Sequence, residues 1–145
     1  MNDTVTTPLG TTEIELHEGR IRALRFSDAP GGPPRSEAGE RVRAYFSGDL
    51  GALQSAPLDL SGSEFQLRVW SLLREIPAGE TLTYGELAKL LDMPGAARAV
   101  GTANARNPAA LFVPCHRVIG KGGLRGYAWG LERKRWLLDH ERALG

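Results

Sequence analysis

Two stretches near the start of the chain alternate apolar and polar residues. Thr12–His17 contains TEIEL and Arg20–Phe26 contains IRALRF, and each predicts a short strand, with Glu18-Gly19 as the turn between them. DAPGGPP, Asp28 to Pro34, reads as a loop. Over Ser36–Ser47 the spacing changes to that of a helix, with Val42, Tyr45 and Phe46 on one side and Gly48 as a stop. Leu58-Asp59-Leu60 suggests one more short strand. No internal repeat or extended low-complexity segment interrupts the chain.

From Ser61 onward the pattern is helical. Ser63 is placed to cap a helix with Phe65, Val69, Leu72 and Leu73 on its apolar face and Trp70 beside it, ended by Pro77-Ala78-Gly79. Thr83 and Glu86 form a T-x-x-E capping box that opens a second helix, Tyr84–Leu91. After the turn Asp92-Met93-Pro94-Gly95 a third helix is predicted over about Ala96–Ala105. Two short helices across such a turn fit a helix-turn-helix or a plain helical hairpin equally well. The third helix offers Val100 and little else to a core. Its small residues, Ala96, Ala97, Ala99, Gly101 and Ala103, permit close approach to another helix or to a DNA groove, and Arg98 stands alone among them. Ala109–Val113 is apolar and strand-like. Gly120–Gly123 and Gly126–Gly130 form a glycine-rich loop with two aromatics, without the spacing of a dinucleotide site. Leu131–Leu144 predicts a closing helix whose buried side includes Leu131, Trp136, Leu137, Leu138 and His140.

The chain of 145 residues suits one modest domain or a small lobe attached to a larger one. Its single cysteine excludes an intramolecular disulfide and a four-cysteine zinc site, and intracellular residence is the expectation. No signal peptide is expected from MNDTVTTPLG, and no run reaches the roughly 18 apolar residues of a membrane span. The net charge of +1 does not advertise nucleic-acid binding. Its distribution is uneven: residues 1–60 hold six basic and nine acidic residues, residues 61–145 twelve and eight. An anionic partner on the second part is therefore allowed but not required.

The lone cysteine lies in LFVPCHRVIG, Leu111 to Gly120. A buried cysteine is ordinarily a small hydrophobe. Here Pro114 removes a backbone donor and fixes φ, so a central strand cannot simply continue. His116 is able to accept a proton near neutral pH, and the thiolate is the nucleophilic form of cysteine. Neighbours on a regular strand face opposite ways, so Cys115 and His116 meet only at a bend or through a water. A third group must orient the imidazole, and Glu141 is a candidate.

PCHRV, together with FQLRVW, TYGELA, ARAVGTANARNP, PCHRVIG, GYAWG and RKRWLLDHE in this order, resembles the O6-alkylguanine-DNA alkyltransferases, the methylated-DNA–protein-cysteine methyltransferases. The resemblance covers about Ser61 to Glu141, and in the N-terminal part only TTPLG followed by a hairpin is similar. It implies an α/β fold in two parts: a small N-terminal α/β lobe (1–56) and a mostly helical DNA-binding domain (57–145) with a helix-turn-helix and the active-site cysteine. It implies that Cys115 accepts the alkyl group once and for all, that His116 draws its proton through a water with Glu141 behind it, and that Asn107 braces the hinge before the active-site strand. Tyr84 would set its hydroxyl near guanine N3, and Arg98 would fill the stack after the nucleotide rotates out. Tyr127 and Ala128 would line the base pocket with Lys134 near it. Ala96, Ala97, Ala99 and Gly101 would let the helix approach the minor groove. Trp129 stands where many relatives have glycine; a bulky indole there either narrows the pocket, favouring methyl over benzyl adducts, or packs on the protein surface or core. The implied partner is double-stranded DNA carrying O6-alkylguanine, met by a monomer in the cytoplasm, with no metal, cofactor or membrane. A non-catalytic sensor of alkylated DNA shares this fold but commonly replaces the cysteine with tryptophan. Of the other classes, a cysteine hydrolase has no local signature here, a metal site built from Cys115, His116, His17 and His140 fits no familiar zinc spacing, and a plain helix-turn-helix regulator, which would bind undamaged sequence and ignore alkylated bases, stays open.

Overall fold

Alternation in the first thirty residues folds as an antiparallel sheet of three strands in chain order: β1 Asn2–Thr7, β2 Gly10–His17 and β3 Arg20–Ser27. The structure is a computed structural model and describes residues 2–123 and 126–144. The β2–β3 turn is the two-residue turn expected at Glu18-Gly19. Both residues have positive φ, +50° and +78°, and His17 pairs with Arg20 across them. That is the type I′ geometry whose twist matches the flanking strands, and glycine meets its second position without strain. β1 was not expected. Its inward positions are Asp3, Val5 and Thr7, so two of the three buried side chains are polar and the alternation is hidden. Asp3 is fully buried because it receives the next helix. Its Oδ2 accepts from Ser36 Oγ at 2.5 Å and from Arg35 N at 3.0 Å. Ser36 Oγ in turn accepts from Gly39 N, capping α1, Glu37–Phe46. Ile14, Ile21, Leu24, Val42 and Tyr45 fill the core of this part. Leu58-Asp59-Leu60 contributes no strand; Leu58 makes only an isolated bridge to Ile21.

The chain divides into two compact units. Among the described residues, one comprises 2–61 with Pro108–Phe112 and Leu144, the other Gly62–Asn107 with the described part of 113–143. In the second, α2 (Glu64–Leu73) and α3 (Tyr84–Leu90) both start with full capping boxes, Ser63 with Gln66 and Thr83 with Glu86. α4 follows as Ala97–Ala105. Trp70 ties α2 to α4 by donating from its indole nitrogen to Ala103 O at 2.9 Å. Val69, Leu73, Leu87 and Val100 complete that core. α5 spans Leu131–Leu144. Two short strands, β4 (Leu82–Thr83) and β5 (Val118–Ile119), pair in parallel, Leu82 with Val118 and Thr83 with Ile119. β4 runs directly into Tyr84, so this pairing fixes the start of α3 beside the exit of the cysteine segment.

Two expectations change. Ala109–Val113 is apolar but not a strand. Leu111 has φ +72°, and Phe112 N bonds back to Ala110 O at 2.9 Å, so the run folds as tight turns with isolated bridges, among them Ala109 to Leu24. On α5, Leu131 is exposed, and Trp136 stacks on His140 with both rings only half-buried. The inward face is Lys134, Leu137, Leu138 and Glu141 instead. No helix among the described residues is long and apolar enough to cross a membrane.

Candidate active site

Cys115 opens one turn of 310 helix, Cys115–Arg117, immediately after Pro114. Cys115 N donates to Val113 O at 2.8 Å and Arg117 N to Pro114 O at 3.0 Å. These bonds curl the backbone, so the strand geometry that would send Cys115 and His116 to opposite faces does not apply. Both side chains are buried, with 5% of Cys115 and none of His116 exposed. The end of α4 braces the turn: Asn104 Nδ2 donates to Cys115 O at 3.4 Å, and Asn107 Nδ2 to Val113 O at 2.8 Å.

The remaining groups come from α5. Residues 134, 137, 138 and 141 share one helical face, which places a lysine and a glutamate at the two ends of a leucine pair. Lys134 Nζ donates to Val118 O at 2.6 Å and Gly126 O at 3.2 Å. Glu141 Oε2 lies 2.8 Å from His116 Nε2. Sequence reasoning gives Arg117 no part, yet its Nε donates to Glu141 Oε1 at 2.9 Å and its Nη2 to Oε2 at 2.8 Å. Its Nη1 donates to Ile76 O at 2.7 Å. Nothing in PCHRVIG marks this arginine for burial rather than solvent.

Electrostatics give each group a state. Burial raises the Cys115 thiol above its ordinary value, against the lowering influence of Asn107, the Lys134 charge and Tyr127. The resting thiol is therefore protonated, and nucleophilic attack requires something to take that proton. Burial also lowers His116, so its imidazole is neutral, although Glu141 pulls the other way. Burial alone would raise Glu141. The hydrogen bonds and charges of His116 and Arg117 outweigh it and hold Glu141 ionised, well below the usual carboxylate range. An ionised Glu141 accepts only, so His116 Nε2 carries the proton that it donates. His116 Nδ1 is then the unprotonated nitrogen, and it is buried with no hydrogen-bond partner among the described residues. Lys134 is lowered by burial, opposed by its interaction with Cys115.

A second group of expected residues lines an open cleft of about 1250 Å³ between α3 and α4. Tyr84, Ala97, Arg98 and Gly101 lie on it, with the Tyr84 ring carbons 3.7–3.8 Å from where a Cβ on Gly101 would be. Four cations, Lys89, Arg98, Arg106 and Lys121, face it against one carboxylate, Glu86, which is engaged in capping by accepting from Thr83 N at 2.8 Å. Ala96, Ala99, Ala128 and Trp129 are not among its lining residues. Ala99 and Ala128 are exposed, and Ala96 and Trp129 half-buried. Tyr127 is half-buried with its hydroxyl out of solvent, and it acts on Cys115 by lowering the thiol. Among the described residues no cluster of three or more His, Cys, Asp or Glu side chains could hold a metal.

Residues 64–143 match the 6-O-methylguanine DNA methyltransferase DNA-binding domain. This chain belongs to that family. A methylated-DNA–protein-cysteine methyltransferase of Mycolicibacterium paratuberculosis is 48% identical, over 96% of this chain and 90% of the relative. One from Shigella flexneri is 50% identical, over 88% and 73%. The crystal structure of the Mycobacterium tuberculosis O6-methylguanine methyltransferase superposes with a TM-score of 0.87 at 41% identity, covering 99% of this chain and 93% of that one. The same enzyme crystallised in complex with DNA gives 0.88, covering 99% and 94%. Both units of this methyltransferase thus share the family's α/β fold, and its lone cysteine occupies the 310 turn.

Proposed function

We propose that this methyltransferase repairs double-stranded DNA by moving the alkyl group of O6-alkylguanine onto Cys115. The observation that carries the reading is the only cysteine of a family member held in a buried turn next to a neutral histidine whose far nitrogen is bonded to a carboxylate. His116 Nδ1 takes the thiol proton by way of a water. The sulfur attacks the alkyl carbon in line, the C–O6 bond breaks, and its electron pair passes to the base. The Tyr84 hydroxyl protonates guanine N3, so guanine leaves neutral. A thioether remains on Cys115, and with no group here to remove it each molecule acts once. Lys134 assists by favouring the thiolate as charge develops on sulfur.

A base inside a duplex must leave the stack to reach a buried thiol. α3 and α4 act as a helix-turn-helix, with Ala96, Ala97, Ala99 and Gly101 of the second helix approaching the minor groove. Arg98 enters the space left by the base. Tyr127 and Ala128 line the pocket, and Asn107 holds the turn. The cations of the cleft support this through phosphate contacts. The protein works as a cytoplasmic monomer. Trp129 narrows the pocket, so methyl adducts react faster than benzyl ones and Trp129→Gly speeds the benzyl reaction; equal rates on both, or no gain in the variant, count against this.

Intact mass spectrometry after mixing with a duplex carrying one O6-methylguanine tests the reaction. A gain of one CH₂, mapped to Cys115 and absent in Cys115→Ala, is expected. Tight binding without a mass change would mean a sensor of damage instead.

A further inference from the structure

Arg117 enters no step of this reaction, yet it is the most heavily bonded buried cation at the site. Its side chain is 4% exposed, and three of its nitrogens are engaged: two on Glu141 and one on the carbonyl of Ile76, just beyond α2. Glu141 Oε2 is shared, accepting from Arg117 Nη2 and from His116 Nε2, each at 2.8 Å. The charged groups acting on His116 are therefore Glu141, Arg117 and Lys134.

Consider the pair without the guanidinium. A buried carboxylate whose only partner is a neutral imidazole is poorly compensated. It has two ways to recover. Glu141 takes up a proton and donates it to Nε2, which drives the imidazole to the tautomer protonated at Nδ1. Alternatively, His116 becomes the imidazolium, which is protonated at both nitrogens. Either way a proton sits on Nδ1, the atom that must be free to receive one. Arg117 blocks both routes. Its two parallel bonds neutralise the carboxylate as an anion, and its charge opposes a second cation next to it.

We propose that Arg117 is a positioning residue for alkyl transfer: by holding both oxygens of Glu141 it fixes the His116 proton on Nε2 and keeps Nδ1 open for the thiol proton. This rests on the reading of Cys115 as acceptor and His116 as its base. Arg117 acts through Glu141 and touches neither DNA nor the reacting atoms.

The test is 15N NMR of the full chain labelled at histidine, with His116 assigned by its disappearance in His116→Asn, beside single-turnover transfer from O6-methylguanine duplex. In the wild type at neutral pH, Nε2 protonated and Nδ1 bare is expected. In Arg117→Met, Nδ1 gains a proton and transfer slows by about tenfold or more, part of the roughly 10²–10⁴-fold that general-base help supplies. Arg117→Lys keeps a buried cation but cannot make both carboxylate bonds, so it falls between; it carries the same comparison should Arg117→Met not fold. A wild-type His116 protonated at Nδ1 overturns the proposal. So does a variant that loses thermal stability but keeps a bare Nδ1 and the wild-type rate, which is a structural role alone. The spectra need no DNA. Absence of transfer in the wild type with the expected tautomer would sink the alkyl-transfer reading while leaving the tautomer assignment intact.

Discussion

A buried thiol and a buried ammonium interact at this site, and each opposes the shift that burial imposes on the other. Lys134 lowers the Cys115 thiol against the burial that raises it. Lys134→Met therefore moves the thiol further up, and the thiolate absorbance of the only cysteine reads this without interference from another thiol. A midpoint unchanged or lower would contradict the coupling. The acid side of the stability curve follows from His116 and Glu141. Both are shifted downward in the folded protein, so both bind protons more readily when unfolded. Stability is thus greatest above the histidine range, falls as pH drops below about 6.5, and falls again through the carboxylate range below about 4.3. Denaturant unfolding at about pH 8 and about pH 5 should show the first loss, and His116→Asn should reduce it; a flat profile would exclude a neutral buried imidazole. Cysteine, histidine and glutamate were all legible in the sequence as chemistry. Arg117 was not, because an arginine beside a histidine has no sequence mark that separates a buried ion pair from a surface charge.

Among the elements, capping chemistry was the most readable feature: S-x-x-Q and T-x-x-E each opened a helix where the sequence placed one. α5 was readable in extent but not in orientation. Its inward face runs Lys134, Leu137, Leu138, Glu141, and two charged ends disguise a face that hydrophobicity alone assigns to Leu131 and Trp136. The cysteine segment misleads for a related reason. Five apolar residues suggest a strand, whereas Leu111 at positive φ and the prolines on either side turn it into consecutive tight turns. α4 offers a test that separates folding from binding. A methyl on Gly101 would meet only the Tyr84 ring, at ordinary van der Waals distance. Gly101→Ala should therefore stabilise the protein by about 0.5–1 kcal/mol through helix propensity. If this face of α4 approaches DNA closely, the same variant binds duplex more weakly. Stabilisation with unchanged affinity would move the DNA-facing surface elsewhere on the helix.

For the whole molecule, the weak net charge conceals a division of labour. The acidic excess lies in residues 1–60 and the basic excess in residues 61–145, where four cations gather on the α3–α4 cleft. Replacing Lys89, Arg106 or Lys121 singly by Ala should weaken duplex binding across sequences and reduce the slope of log affinity against log salt by about one for each phosphate left without its cation. An unaltered slope would remove that residue from the interface. Nothing in the sequence marks Pro108–Phe112 as a member of the N-terminal unit. That membership has a consequence for synthesis. A chain grown from its N-terminus cannot finish its first unit when Ser61 leaves the ribosome. Leu24 still lacks the carbonyl of Pro108, to which its amide donates at 3.0 Å, and its bridge to Ala109. The unit closes only once Phe112 has emerged, with Cys115 close behind it, so a nascent chain arrested before Pro108 should remain open to protease where one arrested well beyond Phe112 is protected.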